Sequence, residues 1–226
     1  MFRPVGSKVL CSIGAGPHQE LLDISGQTFA LFAARHGYQL DLRRELMTTD
    51  RPPSWSRILL FQELFRTYDT VLWIDADAAI VDPTLDIADE LGRRDLMGMV
   101  AHEYDGQAIP NCGVWLLRNH RLTRRFLDAV WNHTEYVDHD WWENAAVLDE
   151  LGYSVAPRVE VVRDSRLRSR VVHVERGWNS ILADPAPHPR INHYPGRSRE
   201  YRLEHLAADL AAARSVLASL EHPAVG

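Results

Sequence analysis

Lysine is almost absent from this 226-residue chain: Lys8 is the only one, and arginine supplies the rest of the 25 basic residues. Against 31 acids these leave a formal charge of -6, with arginines and acids interspersed. That excludes the continuous basic field nucleic acid binding needs. Long apolar runs are missing too. None approaches the roughly 18 consecutive apolar residues of a membrane span, and the opening MFRPVGSKVLCSIG lacks the apolar core and cleavage site of a signal peptide; a cytoplasmic protein is expected. Cys11 and Cys112 are too few for a disulfide framework or a zinc site, and two unpaired thiols suit a reducing compartment. What the chain does have is 46% hydrophobic residues, enough for one sizeable core and short for two full domains. Residues 1–226 are expected to form a single domain.

Its periodicities begin as strand, helix, strand. KVLCSI is a short β-type run, Gln19 to His36 carries apolar residues at helical spacing, and Gly37 stops that helix before YQLDL. Such a βαβ unit favours parallel pairing and hence an α/β fold. RPPSW opens a second helix, with Ser54 as its N-cap and Trp55, Ile58, Leu59, Gln62 and Phe65 stepping down it, before DTVLWI begins the next strand. DLMGMVA and GVWLLR read as strands, Leu122 to Trp131 and Trp141 to Leu151 as helices, and VEVVR and RVVHVE as short strands. Residues 199–220, rich in Ala and Leu, read as a C-terminal surface-packing helix. Proline and glycine concentrate from Gly177 to Gly196, which marks a long, functional or disordered loop.

Two patterns point towards chemistry. In GAGPHQ, Gly14 and Gly16 follow the first strand as in a dinucleotide fingerprint, but Gln19 stands where the third glycine belongs and Pro17 interrupts the turn. A flexible turn is the better reading, with Ser12 to Gly16 still placed to meet a nucleotide's base or ribose. In VLWIDADAAIVDP an apolar strand runs into two acids one residue apart. Side chains repeat every two residues in an extended chain, so Asp75 and Asp77 share a side while Ala76 points away. Carboxylates on the rim of a core need a positive or hydrogen-bonding partner. A divalent cation, Mg²⁺ or Mn²⁺, takes such hard ligands and leaves positions open for phosphates. A strand that simply ends in solvent gives the same two acids.

SWSRILLFQELFRTYDTVLWIDADAAIVDP, NCGVWLLRN, DWWENAAVLDELG and INHYPG follow one another between Ser54 and Gly196. Their order and rough spacing resemble metal-dependent GT-A glycosyltransferases, nearest the galactosyl-, mannosyl- and xylosyltransferases of fungal and plant Golgi and more distantly the glycogenin-like retaining enzymes. A member without the membrane anchor and stem of its Golgi relatives is expected. The resemblance implies that Asp75 and Asp77 hold the metal on the donor's diphosphate, with His193 of HYPG as third ligand. Neutral imidazole beside two carboxylates favours Mn²⁺ over Mg²⁺. It also implies close backbone approach at Gly196, a basic donor contact at Arg197 or Arg199 where glycogenin-like relatives use lysine, and another at Arg57. Asn111 and Gly113 of NCG would lie at the donor sugar, though Asn and Gly also mark a plain turn. Glu143 and Asn144 fall where relatives carry an acid followed by glutamine beside the anomeric carbon.

Less sharply, one of Trp141 and Trp142 is expected in the core and the other against an acceptor sugar. Trp178 and Asn179 are expected in the acceptor wall. His102, Glu103 and Asp105 either touch acceptor hydroxyls or form a solvent-exposed loop. The implied fold is a GT-A, Rossmann-like mixed sheet flanked by helices, and the implied reaction moves a sugar, UDP-hexose first among donors, to an acceptor hydroxyl with retention of anomeric configuration. A metal-dependent phosphohydrolase or nucleotidyltransferase is the rival enzyme. The phosphatase pattern wants its acids after the first strand, and SIGAGPHQE lacks the basic residues of a nucleotidyltransferase loop. A non-catalytic nucleotide-sugar-binding module is the third reading.

Overall fold

The computed structural model describes residues 6–104 and 106–221; Asp105 lies outside them. In chain order the elements are β1 (Lys8–Ile13), α1 (Gln19–His36), β2 (Tyr38–Arg43), α2 (Ser56–Leu64), β3 (Thr70–Ile74), β4 (Ala78–Ile80), β5 (Met97–Tyr104), β6 (Gln107–Arg118), α3 (Arg121–Asn132), α4 (Trp142–Glu150), β7 (Tyr153–Ser154), β8 (Glu160–Val161), β9 (Val171–His173), β10 (Ser180–Ile181), β11 (Ile191–His193) and α5 (Arg199–Glu221).

The opening βαβ unit forms as its pattern dictates. α1 ends where Gly37 adopts a left-handed φ of 72° and its N–H donates to the Ala33 carbonyl, and β1 and β2 pair in parallel. β3 joins the other side of β1, also in parallel, and β6 then inserts antiparallel between β3 and β5. The main sheet runs β2-β1-β3-β6-β5-β9. Alternation divides its residues between two cores. Leu10, Leu72 and Ile74 pack with Phe29 and Phe32 of α1 on one face, while Val9, Cys11, Val71 and Trp73 pack with Phe61, Trp115 and Leu148 on the other. Both cysteines are free and buried. Among the described residues, no helix is long and apolar enough to cross a membrane.

Three local features shape the end of β3. Between Met99 and Val100 the β5–β6 register jumps, leaving Cys112, Gly113 and Val114 of β6 without a partner in β5, a bulge that swings this stretch towards β3. A second sheet, β10-β11-β4, holds β11 antiparallel to β4 with His193 opposite Ala78. α5 lies along α1 and β4, with Leu206 packed against Leu21, Ala79 and Tyr194.

Several expectations need correction. Ser54 caps nothing, because a 3-10 turn over Pro53–Trp55 precedes α2. The Gly177–Gly196 segment contains β10 and β11, which are two and three residues long and too short to show periodicity. VEVVR contributes only Glu160–Val161 to a strand, with Val161 and Val162 exposed. Asn111 and Gly113 sit inside β6 rather than in a turn.

Candidate active site

Asp75 and Asp77 leave β3 through a tight turn in which Ala78 N–H donates to the Asp75 carbonyl at 3.0 Å. The turn, not strand alternation, converges the two carboxylates. β11 delivers the third group, because Tyr194 N–H donates to the Asp77 carbonyl at 3.0 Å and so seats His193 beside the acids. Its Nε2 lies 3.3 Å from Asp77 Oδ1 and 3.6 Å from Asp75 Oδ2. One ligand atom from each residue fits within 4.8 Å of the others.

The other imidazole nitrogen is fixed by two amides. His193 Nδ1 donates to Asn179 Oδ1 at 2.9 Å, and Asn179 Nδ2 donates to Asn111 Oδ1 at 2.9 Å. Asn111 Oδ1 also accepts from Gly113 N–H at 2.8 Å. Tying Nδ1–H to an amide oxygen leaves the Nε2 lone pair facing the carboxylates, the arrangement by which proteins orient a metal-binding histidine. Two hard oxygens and one imidazole nitrogen fit Mn²⁺, and Mg²⁺ less well.

Electrostatics around these groups is uneven. Burial pushes the Asp75 carboxyl up, and Arg57, with Nη2 at 2.9 Å from Oδ1, only partly offsets it. Burial also acts on Asp77, but His193 and Arg202 outweigh it and hold Asp77 well below the usual carboxylate range. Arg202 Nη1 lies 3.2 Å from Asp77 Oδ2 and 3.2 Å from His18 Nε2. The His193 pKa is raised: burial disfavours its cation, yet Asp77 and then Asp75 favour it more.

Behind Asp75, Arg57 is fully engaged. It stacks 4.7 Å from the Trp73 ring, donates to the Cys112 carbonyl at 2.7 Å, and places Nε 3.3 Å from Glu143 Oε1. Glu143 is 3% exposed. Burial raises its pKa against the pull of Arg57 and then of the Ser54 hydroxyl. Asn144 Oδ1 accepts from Cys112 N–H at 3.0 Å.

Two cavities meet here. One, of about 460 Å³, is lined by Ile13, Ala15 and Gly16 after β1, by His18, and by Trp73, Asp75 and Asp77. The other, of about 430 Å³, is lined by Asn111, Gly113, Glu143, Asn144 and His193, with His102, Glu103, Tyr104, Asp140 and both Trp141 and Trp142 further out. Ser54, Arg57, Asp75 and Trp142 line both.

The structure therefore brings Arg57, Asp75, Asp77, Asn111, Gly113, Glu143, Asn144 and His193 together and leaves Ser12, Gly196, Arg197 and Arg199 aside. Ser12 is fully buried and lines neither cavity, whereas Ile13 beside it faces the opening. Gly196 and Arg197 are exposed beyond the cavities; Gly196 has a left-handed φ of 69°, and Arg197 rests over the Tyr201 ring. Arg199 pairs with Glu20. The cation of α5 that reaches Asp77 is Arg202, three residues after Arg199, and the helical reading already contained the signal, because positions three apart lie on neighbouring turns.

Other roles shift too. Trp178 is core, its Nε1–H donating to Glu90, and Asn179 is fully buried behind His193 rather than in an acceptor wall. His102 is buried and bonded to Asp184 at 3.2 Å. Trp141 is half-buried against Tyr104, whereas Trp142 is 43% exposed.

No protein-family model matches the chain. No curated protein matches it either. Solved structures do. A glycosyltransferase involved in glycosylation of the major capsid of PBCV-1 superposes with a TM-score of 0.66 at 18% identity, over 88% of this chain and 99% of that one. The glycosyltransferase GlyE of Streptococcus pneumoniae TIGR4 gives 0.56 at 14%, over 95% and 65%. The galactosyltransferase LgtC, in complex with donor and acceptor sugar analogs, gives 0.56 at 11%, over 91% and 95%. At such identities the likeness is one of architecture, and it shows that this chain has the mixed α/β GT-A fold.

Proposed function

We propose that the chain is a glycosyltransferase, acting as a single domain, that uses a divalent metal to move a hexose from a nucleotide diphosphate donor, UDP-hexose first, to an acceptor hydroxyl with retention. The order of its motifs is similar to that of the galactosyl-, mannosyl- and xylosyltransferases. One observation carries the reading: Asp75, Asp77 and His193 converge where two cavities meet, so one cavity has room for a nucleotide and the other for an acceptor. The superposition with glycosyltransferases, LgtC in complex with donor and acceptor sugar analogs among them, supports a site for a sugar donor and an acceptor.

In this scheme Asp75, Asp77 and His193 hold Mn²⁺, which when bound supplies Lewis-acid stabilisation of the leaving diphosphate. Ile13 to Gly16 meet the nucleoside by their backbone. Arg202 adds a cation beside Asp77, and Arg57 pairs with Asp75 and Glu143 and holds them in place. The anomeric carbon–oxygen bond to the diphosphate breaks, the acceptor oxygen bonds to that carbon on the same face, and the acceptor's proton passes to a diphosphate oxygen. Glu143 and Asn144 line the wall facing the developing positive charge. The test is product analysis with a panel of nucleotide sugars and simple glycosides, with Mn²⁺ and with chelator. Metal-dependent release of nucleoside diphosphate with sugar transferred is expected; release of sugar phosphate or inorganic phosphate would identify a phosphohydrolase instead.

A further inference from the structure

The acceptor half of the site has a charge pattern of its own. Its lining holds five carboxylates, Asp75, Glu103, Asp140, Glu143 and Asp184, against one guanidinium, Arg57. Arg57 is consumed by Asp75 and Glu143, and Asp184 is taken up by Arg176 and His102. Glu103 and Asp140 form no ion pair or hydrogen bond among the described residues, and both are exposed at the mouth.

Between them stand two aromatic faces. Tyr104 is 51% and Trp142 43% exposed, large apolar surfaces turned to a cavity rather than a core. Trp142 also holds a φ of 45°, the one non-glycine residue with positive φ among those described, a conformation disfavoured for a bulky side chain and retained where the surroundings impose it. Deeper in, His102 Nε2 lacks a partner although its residue is more than nine-tenths buried and lines this cavity. Such an atom is normally satisfied, so a hydroxyl-rich ligand is the natural partner.

Resting on the glycosyltransferase reading, we infer that the acceptor is a sugar or glycoside without an anionic group, seated with a ring face on Trp142 and its hydroxyls on Glu103 and Asp140, and that anionic acceptors are excluded. Sugar rings present C–H faces that suit aromatic surfaces and hydroxyls that suit carboxylates. A phosphate or carboxylate on the acceptor would instead meet two unpaired like charges with no free cation to answer them, and such juxtapositions are strongly unfavourable.

The experiment compares matched acceptors under one donor and Mn²⁺: a neutral hexoside, its uronic acid, its 6-phosphate and its amino-sugar analogue. The neutral acceptor is expected to exceed both anionic ones by about a hundredfold in kcat/KM. In the double variant Glu103→Gln, Asp140→Asn the ratio of neutral to anionic acceptor should shrink by about tenfold; these exposed positions have no partners to lose. Lower salt should widen the wild-type ratio, as charge repulsion requires. An anionic acceptor equal to or better than the neutral one would overturn the inference, as would an amine-bearing acceptor much poorer than the neutral one, since unpaired carboxylates do not repel a cation. Failure of the parent reading looks different: no donor turnover or hydrolysis with any acceptor, rather than turnover with the wrong charge preference.

Discussion

Gly113 lies so close to the His193 ring that a Cβ on it would stand 2.3 Å from Cε1 and 2.7 Å from Nδ1. Glycine here makes room for the His193 ring. The ring cannot retreat, because Asn179 holds Nδ1 at 2.9 Å and the residue is 3% exposed.

Gly113→Ala is therefore expected to push the imidazole out of register and weaken Mn²⁺ binding by about 10- to 100-fold, the range seen when the orientation of a metal ligand is lost. Titration calorimetry checks this. Asn179→Ala, which frees Nδ1 without crowding the ring, should weaken binding by a similar factor, about tenfold or more. Unchanged affinity in both variants would remove His193 from the ligand set.

How much of this could be read from residues alone depends on the length scale of each feature. α1 spans Gln19–His36 as expected, because eighteen residues carry five turns of periodic signal and a glycine stop. The placement of Asp75, Asp77 and His193 followed from ordered motifs, each of which spans an element end. The roles of Asn179 and Gly113 did not, since both depend on β10, β11 and the β6 bulge packing side by side, contacts that leave no periodicity. Arg57 illustrates the same limit: its type suggested a phosphate contact, yet Asp75 and Glu143 already occupy its guanidinium.

Asp75 and Asp77 should differ when neutralised. Asp75→Asn removes a counter-charge from buried Arg57 as well as a ligand, so it should lower stability by about 2 kcal/mol along with abolishing metal-dependent turnover. Asp77→Asn should abolish turnover too, while leaving Arg57 paired with both Asp75 and Glu143. Urea denaturation beside activity assays separates the two effects. Asp77→Asn loses its own contacts with His193 and Arg202, so the pair is judged against wild type: an Asp75→Asn variant as stable as wild type would mean that the Arg57–Asp75 pair contributes nothing.

Arg202→Ala tests the cation that motif matching passed over. Its guanidinium is the group on α5 within reach of Asp77 among the described residues. A charge-assisted contact to a diphosphate contributes about 1.5–3 kcal/mol, so donor kcat/KM should fall by about 10- to 100-fold. Arg197→Ala, whose side chain rests on Tyr201 outside both cavities, should leave donor kinetics near wild type. Steady-state kinetics with varied donor distinguishes them.

His133 offers a pH test away from the metal ligands. Burial disfavours its cation, but Glu135 and Glu150 flank the two ring nitrogens, Glu150 at 3.0 Å, and raise its pKa above the usual histidine value. A folded-state pKa above the unfolded one stabilises fully below the unfolded value of about 6.5 and is lost as pH rises through the folded value. The melting temperature of wild type relative to His133→Gln should therefore be highest near pH 6 and decline above it. A difference that is flat with pH, or that grows as pH rises, contradicts the pairing.

Stereochemistry is the strongest test of the chemistry. Glu143 Oε2 is covered by protein and Oε1 faces Arg57, so the carboxylate would have to leave its ion pair to bond an anomeric carbon. That geometry favours a front-face reaction, in which acceptor and diphosphate share one face and Glu143 acts only through its charge. Anomeric NMR of the product should show retention; an inverted linkage would contradict the mechanism whatever the metal. Glu143→Gln then separates the retaining routes. Losing one electrostatic contact leaves the rate within about a thousandfold of wild type, whereas deleting a covalent nucleophile lowers it by about 10⁶. The expected result is the smaller loss, with retention preserved in the residual product. A near-complete loss, with a trapped glycosyl-enzyme in wild type, would instead place the bond on Glu143 and require it to swing out past Arg57.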